Sequence, residues 1–150
     1  LNAIYNSQLE QHKSFDLFLS HSSKDVDALL RLKTMLSAKG INVYIDWVND
    51  REQLSRSLTN KDTAKVIMER IKSCKAMMFV NTEASLQSQW TPWELGYAHA
   101  LGRKICVLQL GEVNNTPAYL EIYDKVMVEG DSLMVISNGK TIPIGEWTKK

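Results

Sequence analysis

The strongest constraint on the fold is a regular alternation of short apolar runs with segments of helical periodicity. Four apolar runs, at residues 15–20, 41–45, 76–80 and 105–110, are typical of buried strands. The segments between them repeat apolar residues every three to four positions, which indicates helices packed on a sheet. The resulting β-α-β-α-β-α-β order predicts an α/β fold with a mainly parallel sheet and helices on both faces.

The pattern is weaker after Gly111. We predict a fifth strand at residues 125–128. Two further apolar segments, 133–136 and 141–144, flank Asn138-Gly139, which is a common two-residue hairpin turn. The sequence therefore predicts a C-terminal β-hairpin, with a proline in its second segment that is typical of an edge strand.

The chain predicts one domain behind a short leader. Residues 1–14 are polar and lack a pattern, so we expect a leader or linker there and a single domain over residues 15–150. A chain of 150 residues can bury a sound core without disulfides or metals. Because the sequence begins at Leu1 and not at a methionine, we expect it to be a fragment of a longer protein.

Composition excludes several classes of partner. The net charge of +1 offers no basic field, so we expect neither nucleic acid nor a membrane surface as a partner. No apolar run approaches the roughly 18 residues of a membrane span, and no secretory signal opens the chain. Cys74 and Cys106 have neither a CxxC partner nor a metal-ligand spacing to histidine, so we expect two reduced thiols, no metal and a cytoplasmic location.

The stretch at residues 88–101, SQWTPWELGYAHAL, carries the most unusual chemistry. Trp90 and Glu94 are four positions apart, so one helix spanning both would place a carboxylate on an aromatic, apolar face. A structural explanation competes with a catalytic one. With Thr91 as N-cap and Pro92 at the first helical position, Glu94 would complete a capping box.

Several polar or aromatic residues follow the predicted strands directly. Residues 20–22 follow the first strand, Asp46 and Trp47 the second, and residues 81–90 the third. Ligands of open α/β sheets bind beyond the carboxyl ends of the strands, so these residues and Glu94 are expected to share one cleft.

Two residues of this rim have alternative interpretations. His21 is either a general base or, more commonly for such a position, a turn residue bonded to backbone. Trp47 either stacks on a ring of the ligand or anchors a loop. The chain has no GxGxxG, GxxxxGK[ST] or GxSxG motif and no plausible cysteine–histidine couple, so the usual nucleotide-binding and acyl-transfer sites are not indicated.

Three segments resemble TIR (Toll/interleukin-1 receptor) domains of the bacterial type. FDLFLSHSSKD at residues 15–25 is similar to the opening strand and loop of the family, and GINVYID at residues 40–46 to its second strand. SQWTPWE at residues 88–94 matches the WxxxE motif with its preceding serine. The resemblance covers residues 15–110 well and the remainder poorly.

The resemblance implies a flavodoxin-like three-layer sandwich with a five-stranded, mainly parallel sheet. In the enzymatic branch it implies cleavage of NAD at the nicotinamide–ribose bond, with Glu94 as the catalytic residue and NAD as substrate, without a cofactor or metal. The loop after the second strand departs from other enzymatic members, so its contacts stay open. The expected substrate-binding residues are Ser20, His21, Ser22, Asp46, Trp47, Ser88 and Trp90.

One carboxylate suffices for this chemistry because nicotinamide leaves NAD as a neutral base, and no acid has to protonate it. The product could be linear, cyclic or conjugated ADP-ribose. The resemblance further implies self-association of TIR domains, an effector reached through the nucleotide product, and a role in antiphage defence. Two alternatives remain open: a non-catalytic TIR assembly module, and an enzyme like the nucleoside deoxyribosyltransferases. A phosphoacceptor receiver domain is disfavoured, since Ser20-His21 and Asn81 occupy the positions of its acidic residues.

Overall fold

The computed structural model describes residues 14–22, 24–45 and 61–149. Its strands are β1 (Phe15–Ser20), β2 (Val43–Tyr44), β3 (Cys74–Asn81), β4 (Lys104–Gln109), β5 (Asp124–Glu129), β6 (Ser132–Ser137) and β7 (Lys140–Pro143). Its helices are α1 (Val26–Ala38), α2 (Lys61–Lys72), α3 (Glu83–Leu86), α4 (Trp90–Ala100) and α5 (Ile144–Lys149), with a 3-10 helix at Ala118–Ile122. Residues 1–13 of the predicted leader, together with Asp46, Trp47 and the loop up to residue 60, lie outside the described residues.

The described strands form one sheet in the order β2-β1-β3-β4-β5-β6-β7. The pairs from β2 through β5 are all parallel. Its parallel part has the 2-1-3-4-5 order of flavodoxin-like folds, in which the strand order reverses beside β1. The prediction of a mainly parallel α/β sheet is therefore confirmed.

The predicted five-stranded sheet is corrected to one of seven strands in the part of the chain that the structure describes. The C-terminal hairpin is present, but it continues the sheet because β6 pairs antiparallel with β5. Asn138 and Gly139 form its turn with φ values of 52° and 78°, and a tight turn of this kind requires positive φ at both positions. Pro143 lies in β7 at the edge of the sheet, as its missing N–H requires.

Apolar side chains cover both faces of the sheet and complete a three-layer sandwich. On one face α1 and α5 pack over the sheet through Leu29, Leu36 and Trp147. On the other face α2 and α4 pack through Ile67, Ile71 and Leu95. β3 supplies both faces because alternate side chains point in opposite directions, with Met78 and Val80 on the first face and Met77 and Phe79 on the second.

This topology brings the ends of β1 and β3 together beneath α4. Ser20, the last residue of β1, is in register with Phe79 near the end of β3. The chain leaves β3 at Asn81, forms α3 and then enters α4, so α4 begins at the same edge of the sheet as the loop after β1. Among the described helices, none combines the length and the hydropathy that crossing a bilayer requires.

Candidate active site

The centre of the candidate site is a buried contact between Ser20 and Glu94. Ser20 Oγ donates a hydrogen bond of 2.8 Å to Glu94 Oε1. Both side chains are 0% exposed. The sequence predicted that both residues belong to one rim, and the structure brings them into direct contact.

Complete burial gives the Glu94 carboxylate a strong local field. A charge acts more strongly in an interior of low dielectric constant than in water, and an O–H donor holds the carboxylate in one orientation. Such a group can stabilise positive charge that develops on a bound molecule. Because Glu94 has no exposed surface, a substrate reaches it only when neighbouring groups move.

The start of α4 differs from the predicted capping box. The helix begins at Trp90, its N-cap is Gln89, and no side chain caps it from that position. Ser88 Oγ instead accepts hydrogen bonds from the backbone N–H groups of Trp90 (3.1 Å) and Thr91 (3.4 Å). The prediction of Thr91 as N-cap with Glu94 reaching back was therefore wrong. With the earlier start, Trp90 and Glu94 lie on one face of one helix.

His21 and Ser22 are buried beside this contact, with exposed fractions of 1% and 6%. His21 Nδ1 lies 2.9 Å from the carbonyl oxygen of Ser22. A carbonyl oxygen only accepts, so Nδ1 carries the proton and donates it. This bond to backbone is the one expected of a turn residue. Ser22 Oγ in turn accepts from the backbone N–H of Lys24 at 3.2 Å.

A cleft of about 250 Å³ opens next to these residues. Three of the predicted substrate-binding residues, Ser22, Ser88 and Trp90, line it together with Lys24, Ala84, Gln87 and Gln89. Asp46 and Trp47 lie outside the described residues. Two larger cavities, of about 440 and 520 Å³, are lined by no described residue of the predicted site. The smaller cleft is lined by predicted site residues, and we assign the candidate site there.

Trp90 and Trp93 occupy different environments although they are three residues apart. Trp90 is half-buried and lines the cleft, and its indole Nε1 is buried without a hydrogen-bond acceptor in the part of the chain that the structure describes. Trp93 is 38% exposed and stacks on Tyr97 with ring centroids 6.2 Å apart. The two indole rings meet edge to face at 5.6 Å. Trp90 therefore faces the site, while Trp93 faces outward.

Sequence reasoning missed a set of polar contacts behind the cleft. Thr82 Oγ1 donates to Asp25 Oδ2 at 2.8 Å and accepts from the backbone N–H of Ser85 at 3.0 Å. Thr91 Oγ1 donates to the Ser85 carbonyl oxygen at 2.7 Å. A local signal existed for one part, because Thr82-x-x-Ser85 has the spacing of a capping box, and the structure contains one there.

Both cysteines are free and buried. Burial raises the pKa of the Cys74 thiol to about 12, and it raises the pKa of Cys106 well above its ordinary value. Two neutral thiols of this kind are poor nucleophiles and poor metal ligands. Within residues 14–22, 24–45 and 61–149, no three His, Cys, Asp or Glu side chains gather as a metal site.

Comparison with known proteins identifies related chains. The family model described as TIR domain matches residues 17–131. ThsB′ of Bacillus cereus strain MSX-D12, which is named as a 3′ cyclic ADP-D-ribose synthase, is 38% identical over 122 residues, or 78% of this chain and 63% of that protein. TIR2 of Cytobacillus dafuensis, named as a cyclic ADP-D-ribose synthase, is 32% identical over 112 residues, or 75% of this chain and 30% of that protein. Both names give a provisional activity, and the chain spans less than two thirds of either relative.

The fold has a solved counterpart. The crystal structure of the TIR domain of the Toll-related receptor TRR-2 from Hydra magnipapillata matches with a TM-score of 0.59. The match covers 72% of this chain and 79% of that one, at 16% identity. This likeness supports the architecture of the fold and carries no argument about activity.

Proposed function

We propose that this chain, which belongs to the TIR domain family, is an enzyme that cleaves NAD between nicotinamide and ribose. The observation that carries the proposal is the contact of 2.8 Å between Ser20 and the fully buried Glu94 at the carboxyl ends of the strands. Glu94 is the proposed catalytic residue. Ser20, His21, Ser22, Ser88 and Trp90 are the described residues proposed to surround the substrate.

The chemistry of NAD suits a site with one carboxylate. The nicotinamide ring is a cationic pyridinium when bound and leaves as a neutral base, so the bond breaks without an acid. Positive charge then develops on the ribose, and the Glu94 carboxylate stabilises it electrostatically. The hydroxyl of Ser20 holds the carboxylate, and the face of Trp90 attracts the pyridinium by about 1–2 kcal/mol when water is excluded.

The names of the two relatives favour a cyclic product. Each is named for the synthesis of a cyclic ADP-D-ribose. We propose that this chain likewise releases nicotinamide and joins the ribose to an acceptor within the same molecule, with linear ADP-ribose as the product when water intervenes. A cyclic nucleotide can act as a signal. We therefore also propose a downstream effector that binds it and a role in bacterial antiphage defence.

The surroundings proposed for this reaction are simple. NAD is the substrate, and neither a metal nor a further cofactor is required by a carboxylate that acts through its charge. NAD is abundant in the cytoplasm, where we place the protein. We also propose that TIR domains of this kind associate with one another during activity, as the resemblance to enzymatic members implies.

A non-catalytic assembly module is the second candidate. The specific observation in its favour is that Glu94 is 0% exposed, as expected of a carboxylate that only joins α4 to β1. This alternative predicts the same fold and no turnover of NAD. An enzyme like the deoxyribosyltransferases would share the single carboxylate, but the family match gives it no support.

The deciding experiment is product analysis after incubation of the purified protein with NAD. Separation by liquid chromatography with mass detection distinguishes nicotinamide, linear ADP-ribose and cyclic ADP-ribose, which differ in mass or retention. We expect nicotinamide and a cyclic product in equal amounts. Absence of nicotinamide at high protein concentration and over long incubation would support the assembly module instead.

A further inference from the structure

Behind the cleft, four residues form a continuous series of hydrogen bonds, which we call the Asp25–Thr91 relay. It runs from Asp25 through Thr82 and Ser85 to Thr91, with bond lengths of 2.8, 3.0 and 2.7 Å. Thr82, Ser85 and Thr91 are 7%, 0% and 0% exposed. The relay thus joins the N-termini of α1, α3 and α4 in a region that is largely closed to water.

Both end residues of the relay depart from the bonds that their local structure favours. Asp25 occupies the N-cap position of α1, where an aspartate usually accepts from its own helix, yet its side chain makes no capping bond. A threonine in a helix usually bonds a carbonyl three or four residues earlier, whereas Thr91 bonds Ser85, six residues earlier and in α3. Each side chain is therefore used to join two elements.

The relay connects the two sides of the candidate site. On one side, the backbone N–H of Asp25 donates to the Ser22 carbonyl oxygen at 3.2 Å, which ties the relay to the loop that follows Ser20. On the other side, Thr91 lies three residues before Glu94 on the same face of α4. The relay and the Ser20–Glu94 contact therefore both connect α4 to the end of β1 and the loop that follows it, through different residues.

We propose that Thr82 and Thr91 are positioning residues, which hold α4 against the loop after β1 so that Glu94 stays in reach of Ser20. This inference rests on the proposed NAD-cleaving function for its kinetic consequence. Thr91 is buried and bonded to Ser85, so its hydroxyl does not touch the substrate. Loss of the relay shifts the carboxylate relative to the ribose, which lowers kcat and leaves KM for NAD nearly unchanged.

The test compares Thr91→Val, which removes the hydroxyl at nearly constant volume, with Thr91→Ser, which keeps it. We expect Thr91→Val to lower kcat about tenfold or more with KM within about twofold, and Thr91→Ser to recover most of the loss. Thr148→Val is the matched control, because Thr148 is 6% exposed and its hydroxyl donates to the Gly145 carbonyl oxygen in α5, away from the site. The control should keep the kcat of the unchanged protein.

A second variant keeps the proposal testable if Thr91→Val does not fold. Asp25→Ala cuts the relay at a partly exposed residue, and we expect a loss of kcat in the same direction. Full kcat in folded Thr91→Val or in Asp25→Ala, or an equal loss in Thr148→Val, would overturn the proposal. So would a failure of Thr91→Ser to recover activity.

A structural readout separates this inference from the proposed function. In crystal structures of the unchanged protein and of Thr91→Val, we expect the Ser20–Glu94 contact to lengthen beyond hydrogen-bond distance in the variant only. An unchanged contact in the variant overturns the positioning role whether or not NAD is cleaved. A protein that does not cleave NAD, but whose contact opens in Thr91→Val, would refute the proposed function alone.

Discussion

Ser20 and Glu94 lie 74 positions apart in the chain, and their side chains meet at 2.8 Å. One residue ends the first strand, and the other lies in the second turn of α4. Because both are fully buried, the contact fixes a helix against the carboxyl edge of the sheet and also sets the orientation of the Glu94 carboxylate. Substitutions at these two positions separate the structural role of the contact from its chemical role.

Glu94→Gln tests the negative charge. The glutamine amide oxygen still accepts from Ser20, so the fold should survive, whereas the developing charge on ribose loses its partner. We expect nicotinamide release to fall at least a hundredfold, about 3 kcal/mol of transition-state stabilisation. Glu69→Gln, an exposed change in α2, serves as control and should retain activity. A folded Glu94→Gln variant with the original rate would refute the catalytic role of Glu94.

Ser20→Ala tests the orientation of that carboxylate. Removal of one donor from a buried acceptor should lower the free energy of unfolding by about 1–3 kcal/mol. We expect kcat to fall about tenfold at a temperature well below the melting transition, because the charge stays but its position is less defined. Rates and thermal melts of Ser137→Ala, a serine at the far end of β6, provide the comparison. An unchanged kcat in Ser20→Ala would show that Glu94 needs no support from this hydroxyl.

Alanine substitutions at the two tryptophans of α4 should have different effects on the KM for NAD. Trp90 lines the cleft, so Trp90→Ala should raise KM for NAD about tenfold through the loss of about 1–2 kcal/mol of cation–π attraction. Trp93→Ala should leave KM within about threefold and cost only about 1 kcal/mol of stability, since its ring is 38% exposed. The opposite pattern would mean that the substrate approaches from the outer face of α4.

The cysteine thiols should be unreactive in the folded protein. The unfolded thiols ionise near pH 9, whereas burial raises the pKa of Cys74 to about 12, so the folded state keeps protons that the unfolded state loses. The free energy of unfolding should therefore fall as the pH rises from about 9 toward about 12. At pH 8 a colorimetric thiol reagent should label neither of the 2 cysteines until denaturant is added. Rapid labelling of the native protein would contradict the burial of both thiols.

Self-association predicts that specific activity depends on protein concentration. If assembly of several copies completes or orders the site, mass action makes nicotinamide release per molecule rise with concentration or with a crowding agent. Glu94→Gln protein added to a dilute active sample should then raise its rate, because an inactive copy can still assemble. Constant specific activity over a wide dilution range would count against this.

The regular elements were predictable because their signals are local. Alternating or continuous apolar residues indicate strands, and apolar residues that recur about every 3.6 positions indicate helices. Neither pattern depends on distant parts of the chain. Asn138 and Gly139 in the hairpin also have positive φ where the sequence predicted a tight turn. Hairpin geometry is local as well, which is why the C-terminal pair of strands was found although its place in the sheet was not.

Errors arose where two local signals competed. Thr91-Pro92-Trp93-Glu94 satisfies the spacing of a capping box, but Ser88 offers an earlier acceptor and the helix begins one residue before Thr91. Thr91 then donates to the Ser85 carbonyl oxygen, a partner supplied by α3. A spacing rule cannot choose between such starts, because their energies differ through contacts with neighbouring elements.

The sequence by itself determined the α/β class, the order of elements and the rim of polar residues after the strands. It also marked Glu94 as an unusual carboxylate on an apolar helix face. Only the tertiary structure decided that Ser20 is its partner, that Asp25 bonds Thr82 across 57 positions, and that the hairpin extends the sheet to seven strands. The physical reason is that periodicity encodes which face of an element is buried, whereas contacts between distant residues depend on strand order, register and packing, which no local pattern contains.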